Sequence, residues 1–306
     1  MQIEPKIEAL LKMPLVELVS RADRARQKGV GTKLDLCSIV NAKSGRCGED
    51  CKFCAQSLRH SANIPVYPLK KTEEILEAAR RGQDIGAERF GIVTSGNTLS
   101  RDELQKIANT VSEIRDRVKI DICASLGKVA EKDLRLLKEA GLSRYHHNIE
   151  TSPGYFPRIV TTHVFPDRLD TIKAAQKVGL QVCSGGIIGM GEDWEDRIAM
   201  AQTLKELDID SIPINILVPI GGTPLENVRR ITCADAIRTI AIFRMLLPDK
   251  VIKLAAGRES LLRDFQGMAF MAGANGMLIG GYLTIKGRDM VEDGQLIAEI
   301  KGMWQS

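Results

Sequence analysis

The chain has 306 residues, 27% of them charged, with 43 Lys and Arg against 39 Asp and Glu and a net charge of +4. That length suits two average domains or one α/β barrel and is enough to bury a large core. The slight positive balance, the 4% aromatic content and the lack of a basic run interleaved with aromatics argue against a nucleic-acid surface.

From the N-terminus, Ile3, Ile7, Leu10, Leu11, Leu15 and Leu18 recur among Glu4, Lys6, Glu8, Lys12 and Glu17, so an amphipathic helix over about residues 1–28 is expected there, not a secretory leader. Residues 34–40 read as a first strand, followed by a cysteine-rich loop. Thr72 starts a helix over 73–81, and 87–94 is a second strand. Ser100 and Glu103 form a capping box that opens the next helix. Strand 118–124, helix 130–140, strand 144–149, helix 166–178 and strand 180–184 follow, with Gly141 and Gly179 ending the two helices. Helix 194–207 precedes strand 211–218, helix 233–247 precedes 251–255, and helix 259–272 precedes 276–279.

Eight strands separated by helical stretches imply a parallel sheet, and eight such units in about 250 residues predict a (β/α)8 TIM-type barrel. No Pro- or Ser-rich linker divides the chain, so a single domain is expected, with the barrel over about 33–285 and a C-terminal extension over 286–306. A doubly wound open sheet is the competing fold; the lack of G-x-G-x-x-G after the first strand counts against it. Residues 265–285 carry no charge, but Gly267, Gly273, Gly276, Gly280 and Gly281 interrupt them. A buried helix, a turn and a buried strand are expected there, not a membrane span.

The chemistry concentrates at Cys47, Cys51 and Cys54, spaced C-x3-C-x2-C. Three thiolates on one short loop can hold three corners of a [4Fe–4S] cube, leaving the fourth iron open to a small molecule, of which S-adenosylmethionine is the natural candidate. A zinc site with His60 as fourth ligand, or a disulfide pair, are the bland alternatives; structural zinc prefers two separated pairs. Seven cysteines, an odd number, are expected as thiols in a reducing cytoplasm. Cys37, Cys123 and Cys183 fall on the first, third and fifth strands, and Arg258 follows the seventh. Side chains of one barrel layer come from alternate strands, so these four can share a level and hold a second cluster. Taken singly, each is also an ordinary buried cysteine. Cys233, at a helix start, is read as structural.

The loop Cys47-Gly-Glu-Asp-Cys-Lys-Phe-Cys-Ala-Gln-Ser57 resembles the cluster loop of the biotin synthase family of radical S-adenosylmethionine enzymes. The likeness continues through Tyr145-His-His-Asn-Ile-Glu-Thr-Ser-Pro153, Val182-Cys-Ser-Gly-Gly-Ile-Ile-Gly-Met-Gly-Glu192, Pro213-Ile-Asn-Ile-Leu217 and Phe270-Met-Ala-Gly-Ala-Asn275. It implies sulfur insertion into dethiobiotin, in which 5′-deoxyadenosyl radicals remove two hydrogens and an auxiliary iron–sulfur cluster supplies the sulfur. It further implies that Cys47, Cys51 and Cys54 hold the [4Fe–4S] cluster beside Phe53, which replaces a more usual tyrosine. Arg168 would pair with the S-adenosylmethionine carboxylate, and Asn148 and Glu150 would contact its ribose or the substrate. The backbone at Gly185, Ile187 and Gly189 would take adenine. Asn215 would read the ureido ring and Thr284 or Lys286 would bind the valerate carboxylate, while His146 replaces the family's usual asparagine and reads as either a substrate contact or a packed or solvent-bridged histidine. A flavodoxin or ferredoxin reductant and a homodimer are implied as well, with no nucleic-acid or membrane partner.

Two departures matter. Better-studied members carry a cysteine on the second strand where this chain has Gly91, and this chain has Cys37 where they have none. The pattern resembles the anaerobe-type variant, whose auxiliary cluster is a four-iron one with an extra sulfide and not a [2Fe–2S] cluster. Cys37, Cys123 and Cys183 would then be its ligands, with Arg258 beside it. The alternatives are a hydrogenase maturase or methylornithine-forming mutase on the same barrel, and an iron–sulfur scaffold protein without catalysis.

Overall fold

The computed structural model describes residues 5–281, 283 and 287–305. Two helices, α1 (Pro5–Lys12) and α2 (Leu15–Val30), stand where one was expected. Pro14 makes the break: it lacks an N–H and disfavours helical geometry in the residue before it. Arg238 Nη1 closes the end of α1 by donating to the carbonyls of Leu10, Leu11 and Met13 at 3.3, 3.1 and 2.8 Å.

The alternating part begins with β1 (Asp35–Lys43), α3 (Thr72–Asp84), β2 (Arg89–Thr94), α4 (Arg101–Arg117), β3 (Asp121–Ser125), α5 (Glu131–Ala140) and β4 (Arg144–His146). It continues with α6 (Phe156–Ile159), α7 (Phe165–Lys177), β5 (Gln181–Cys183), β6 (Gly186–Ile188), α8 (Trp194–Glu206) and β7 (Ser211–Ile216). The chain ends with α9 (Cys233–Leu246), β8 (Val251–Leu254), α10 (Arg258–Leu261), α11 (Gln266–Met271), β9 (Gly276–Leu278) and α12 (Met290–Gln305).

All pairings are parallel, in the order β5-β4-β3-β2-β1-β9-β8-β7-β6. Cys183 of β5 also pairs with Ser211 of β7, which closes the ring. β5 and β6 are two segments of one stave, so nine strands fill eight positions and the sheet is the expected (β/α)8 barrel. The stave breaks at Ser184-Gly185 because the chain approaches β7 closely there: a Cβ on Gly185 would lie 2.0 Å from the carbonyl oxygen of Pro213.

Helices pack on the barrel by ordinary amphipathic spacing; α4 buries Leu104, Ile107, Ala108, Val111 and Ile114. Its capping box forms as expected, with Ser100 Oγ accepting from Glu103 N at 3.2 Å and Glu103 Oε2 accepting from Ser100 N at 3.0 Å. The expected helix 259–272 is divided by a 3-10 turn in which Arg263 has φ 48. The C-terminal extension folds into α12, which returns to the barrel through buried Asp293, Ile300 and Trp304. The Trp304 ring lies 4.0 Å from the fully buried Arg26 guanidinium of α2. No helix among the described residues is long and apolar enough to cross a membrane.

Candidate active site

Residues of one strand that share parity face the same side. In this barrel Cys37 and Ile39, Arg89 with Gly91 and Val93, Cys123 and Ser125, Arg144 and His146, and Lys253 and Ala255 all line one central cavity. The cavity holds about 400 Å³ and extends to Phe53 and Cys54 of the cysteine loop. One opening in the barrel therefore connects the loop cysteines with the three interior thiols.

The cysteine loop is shaped by its own main chain. Cys47 N donates to Gln56 O at 3.0 Å, Leu58 N to Cys47 O at 2.8 Å, and Cys54 N to Cys51 O at 2.9 Å. His60, the ligand a zinc site would need, has its Nε2 3.0 Å from the Cys51 carbonyl oxygen. Among the described residues no group of three His, Cys, Asp or Glu could hold a single metal ion. A cube spreads its sulfur ligands over separate irons, which three cysteines of one short loop can supply. Burial pushes the Cys54 thiol up to about 11 and raises Cys51 as well, with Glu150 and Cys47 adding to the rise and Arg168 opposing it. Metal binding at these sulfurs would release their protons.

Arg168, in the first half of α7, holds its Nη2 4.0 Å from Glu150 Oε1, and its Nε is buried without a hydrogen-bond partner. That orphaned donor beside the cysteine loop suits an incoming carboxylate. Glu150 is buried at φ 68, a left-handed conformation that a residue with a Cβ seldom adopts. Its neighbour Asn148 accepts from Gly185 N at 3.0 Å and donates to Glu150 Oε2 at 3.4 Å, and both side chains line the cavity. Ile187 also lines it. Gly185 and Gly189 do not. The first permits the close approach to Pro213, and the second, at φ 92, turns the chain so that its N–H donates to Glu192 at 2.8 Å. Asn215 lines the cavity but bridges main chain: Nδ2 donates to Gly186 O at 3.1 Å and Oδ1 accepts from Ala256 N at 3.2 Å. One N–H and one lone pair of its amide remain for a ligand. Thr284 and Lys286 lie outside the described residues.

At the foot of the cavity the three interior thiols are within electrostatic reach of one another. Burial pushes Cys123 up to about 12, with Cys183 and Cys37 adding to it, and Cys37 is raised mainly by burial against the pull of Lys253. Burial also opposes ionisation of Cys183, but the His146 imidazole, hydrogen-bonded to it, with Lys253 and Arg144 brings it down to about 7. His146, open in the sequence between substrate contact and packing, therefore sits against a thiol.

Arg258 follows Gly257, which at φ 84 turns the chain away from β8, and Arg258 is not part of the cavity wall. Its guanidinium donates to Gln266, to Leu278 O at 3.3 Å and to Asp293 at 2.7 Å, which ties α12 to the barrel. Lys253, Arg89 and Arg144 line the cavity at this level. Lys253 Nζ lies 2.6 Å from Asp35 Oδ1, and Arg144 Nη1 lies 3.6 Å from Asp35 Oδ2. Arg89 binds Ser143 at 2.7 Å and Asp121 at 2.8 Å, while Arg89 Nε and Arg144 Nη1 make no hydrogen bond. Three buried cations against one buried carboxylate leave a positive excess, which three thiolates of an anionic cluster would neutralise. Gly91 lines the wall where a side chain would crowd: its Cβ would lie 3.0 Å from Ile39 Cγ2. Lys253, Arg89 and Arg144 were legible from strand parity, since each stands two residues from another cavity residue on its strand.

Comparison with known proteins identifies the family. Residues 42–204 match the Radical SAM superfamily, and residues 213–302 match the Biotin and Thiamin Synthesis associated domain. The chain is 52% identical to the biotin synthase of Thermotoga petrophila over 97% of this chain and 98% of that protein. It is 49% identical to the biotin synthase of Aquifex aeolicus over 88% of this chain and 81% of that protein. Methylornithine synthase superposes with a TM-score of 0.85 at 20% identity, covering 99% of this chain and 93% of that one. The FeFe-hydrogenase maturase HydG of Carboxydothermus hydrogenoformans gives 0.79 at 18%, covering 96% and 77%. Likeness at such low identity concerns the barrel alone, whereas identity near half over nearly all of both chains is decisive. The chain belongs to the biotin synthase family of radical S-adenosylmethionine enzymes.

Proposed function

We propose that this member converts dethiobiotin to biotin in the central cavity, with Cys47, Cys51 and Cys54 holding a [4Fe–4S] cluster and Cys37, Cys123 and Cys183 holding an auxiliary one. When bound, the first cluster and S-adenosylmethionine supply a 5′-deoxyadenosyl radical and the auxiliary cluster supplies sulfur. The observation that carries this reading is the shared cavity, which has loop residues Phe53 and Cys54 at one end and three thiols with Lys253, Arg89 and Arg144 at the other. A substrate between them faces a hydrogen acceptor on one side and a sulfur donor on the other, which is what inserting an atom between two unactivated carbons requires.

The residues of the chain divide the remaining work. Arg168 offers its unpartnered Nε and a forked guanidinium to the S-adenosylmethionine carboxylate. Glu150 and Asn148 present acceptors to ribose or substrate, and Asn215 offers its free N–H and lone pair to the ureido group. Ile39, Ile187, Pro213 and Leu217 give the apolar walls that keep water from the radical.

For the auxiliary site we favour the four-iron cluster with an extra sulfide over a [2Fe–2S] cluster. Cys37 faces the cavity with the other two thiols, and Gly91 stands where a second-strand ligand would be. Three thiolates then leave one iron for a terminal sulfide. Anaerobic reconstitution with S-adenosylmethionine, a reductant and dethiobiotin tests the activity; 5′-deoxyadenosine without biotin would favour a related radical enzyme. Iron and sulfide analysis of Cys37→Ala tests the ligand set, and unchanged auxiliary-cluster content would exclude Cys37.

A further inference from the structure

Two acids inside the cysteine loop, Glu49 and Asp50, have no part in the chemistry above, yet both reach out of the loop to one neighbouring segment. The Asp50 carboxylate accepts from Thr161 N at 2.9 Å, from Thr162 N at 3.2 Å and from the Thr161 hydroxyl. Its own N–H donates back to Thr162 Oγ1 at 3.2 Å. Glu49 meets His163 Nδ1 at 2.7 Å and the Thr162 hydroxyl. Lys52 N donates to Ile159 O at 3.0 Å. The segment so held runs straight into α7, whose residue Arg168 carries the unpartnered guanidinium nitrogen.

The fold of the loop does not need the Asp50 side chain. Its shape comes from the bonds of Cys47, Cys54 and Leu58 to loop carbonyls and from Ser57 Oγ donating to Glu49 O at 2.5 Å. What Asp50 decides is where the loop stands relative to Thr161 and Thr162, and therefore relative to Arg168. S-adenosylmethionine must be gripped at two points, by the open iron and by that guanidinium, and a two-point grip is sensitive to the span between them: about 1 Å of misplacement can cost on the order of 10²-fold.

We propose that Asp50 is a positioning residue for S-adenosylmethionine, a strut that fixes Arg168 at one distance from the cluster loop so that iron and guanidinium can hold the same molecule. The proposal rests on the reading above that Cys47, Cys51 and Cys54 hold the cluster and Arg168 the carboxylate. Asp50→Asn keeps the size of the side chain but replaces one acceptor with a donor that faces the N–H and hydroxyl groups of Thr161 and Thr162.

The test uses anaerobically reconstituted holoenzyme of wild type and Asp50→Asn. Three quantities are read: iron and sulfide content, S-adenosylmethionine affinity by equilibrium dialysis, and the change in the reduced cluster's EPR spectrum on adding S-adenosylmethionine. Expected are wild-type iron and sulfide, at least a tenfold weaker affinity, and a spectral change that is small at the wild-type saturating concentration and recovers at higher ones. Unchanged affinity and spectral response would overturn the proposal. So would iron loss in step with the lost binding, because Asp50 would then merely hold the loop. If Asp50→Asn does not fold, Thr161→Val, which removes one hydroxyl and keeps the N–H, carries the same readouts with a several-fold effect expected. A wild-type holoenzyme whose spectrum ignores S-adenosylmethionine would overturn the function reading, and the strut with it.

Discussion

The two ends of the cavity are built in opposite ways. At the mouth, three cysteines lie within eight consecutive positions, 47–54, and the backbone that carries them is held by short-range bonds to its own carbonyls. At the foot, Cys37, Arg89, Cys123, Arg144, Cys183 and Lys253 come from six different strands and meet only because the sheet register closes the barrel. The mouth thus owes its loop shape to local bonds and its placement to the contacts of Glu49, Asp50 and Lys52 with residues 159–163. The foot is a product of the whole fold, where each charge is buried and depends on its neighbours.

The sharpest contrast is chemical. Cys51→Ala should abolish both 5′-deoxyadenosine and biotin, whereas Cys123→Ala should abolish biotin and leave S-adenosylmethionine cleavage in place; chromatography of both products from one reaction separates them. Equal loss of both products in the two variants would break the division of labour between the ends.

Next is stability. Lys253→Met removes the nearest cation of buried Asp35 and should destabilise the protein by about 3–5 kcal/mol, measured by denaturant unfolding of the cluster-free protein. Lys52→Met, on the exposed side of the cysteine loop, should change stability by no more than about 0.5 kcal/mol. Similar values for the two would mean that the foot is wetter than its burial indicates.

An effect smaller than that of Lys253→Met lies on the barrel's outer layer and serves as a control. Burial raises the Glu103 carboxyl, but hydrogen bonds from Lys43 and from Ser100 N outweigh it and hold it below the ordinary 4.5. A depressed carboxyl stabilises fully above its unfolded value and loses that contribution as pH falls through its folded value. Glu103→Gln should therefore cost about 1 kcal/mol at neutral pH. The gap in melting temperature from wild type should close as the pH falls below 4.5.

The same contrast explains what could be read from the sequence. Cys47, Cys51 and Cys54 needed only their spacing. The odd-strand placement of Cys37, Cys123 and Cys183 needed strand parity and held, because those residues sit within extended backbone. Arg258 stands beyond the end of β8 and past the left-handed Gly257, where strand alternation no longer applies. Lys253, two residues inside the wall from Ala255, obeyed it. α12 went unrecognised because Gly294 and Gly302 lie within it, both poor helix formers. Its order comes from tertiary contacts, the ion pair of Asp293 with Arg258 and the packing of Trp304 on Phe270 and Arg26. The division of one stave into β5 and β6 left only a pair of glycines as its trace.

Glu150 shows what the site demands of the scaffold. Glycine would adopt its φ of 68 freely, and a chain shaped only for robustness would place glycine there. The protein keeps instead a residue with a side chain, whose Oε1 lies 4.0 Å from Arg168 Nη2. At this position the backbone gives up conformational comfort to keep a carboxylate on the cavity wall.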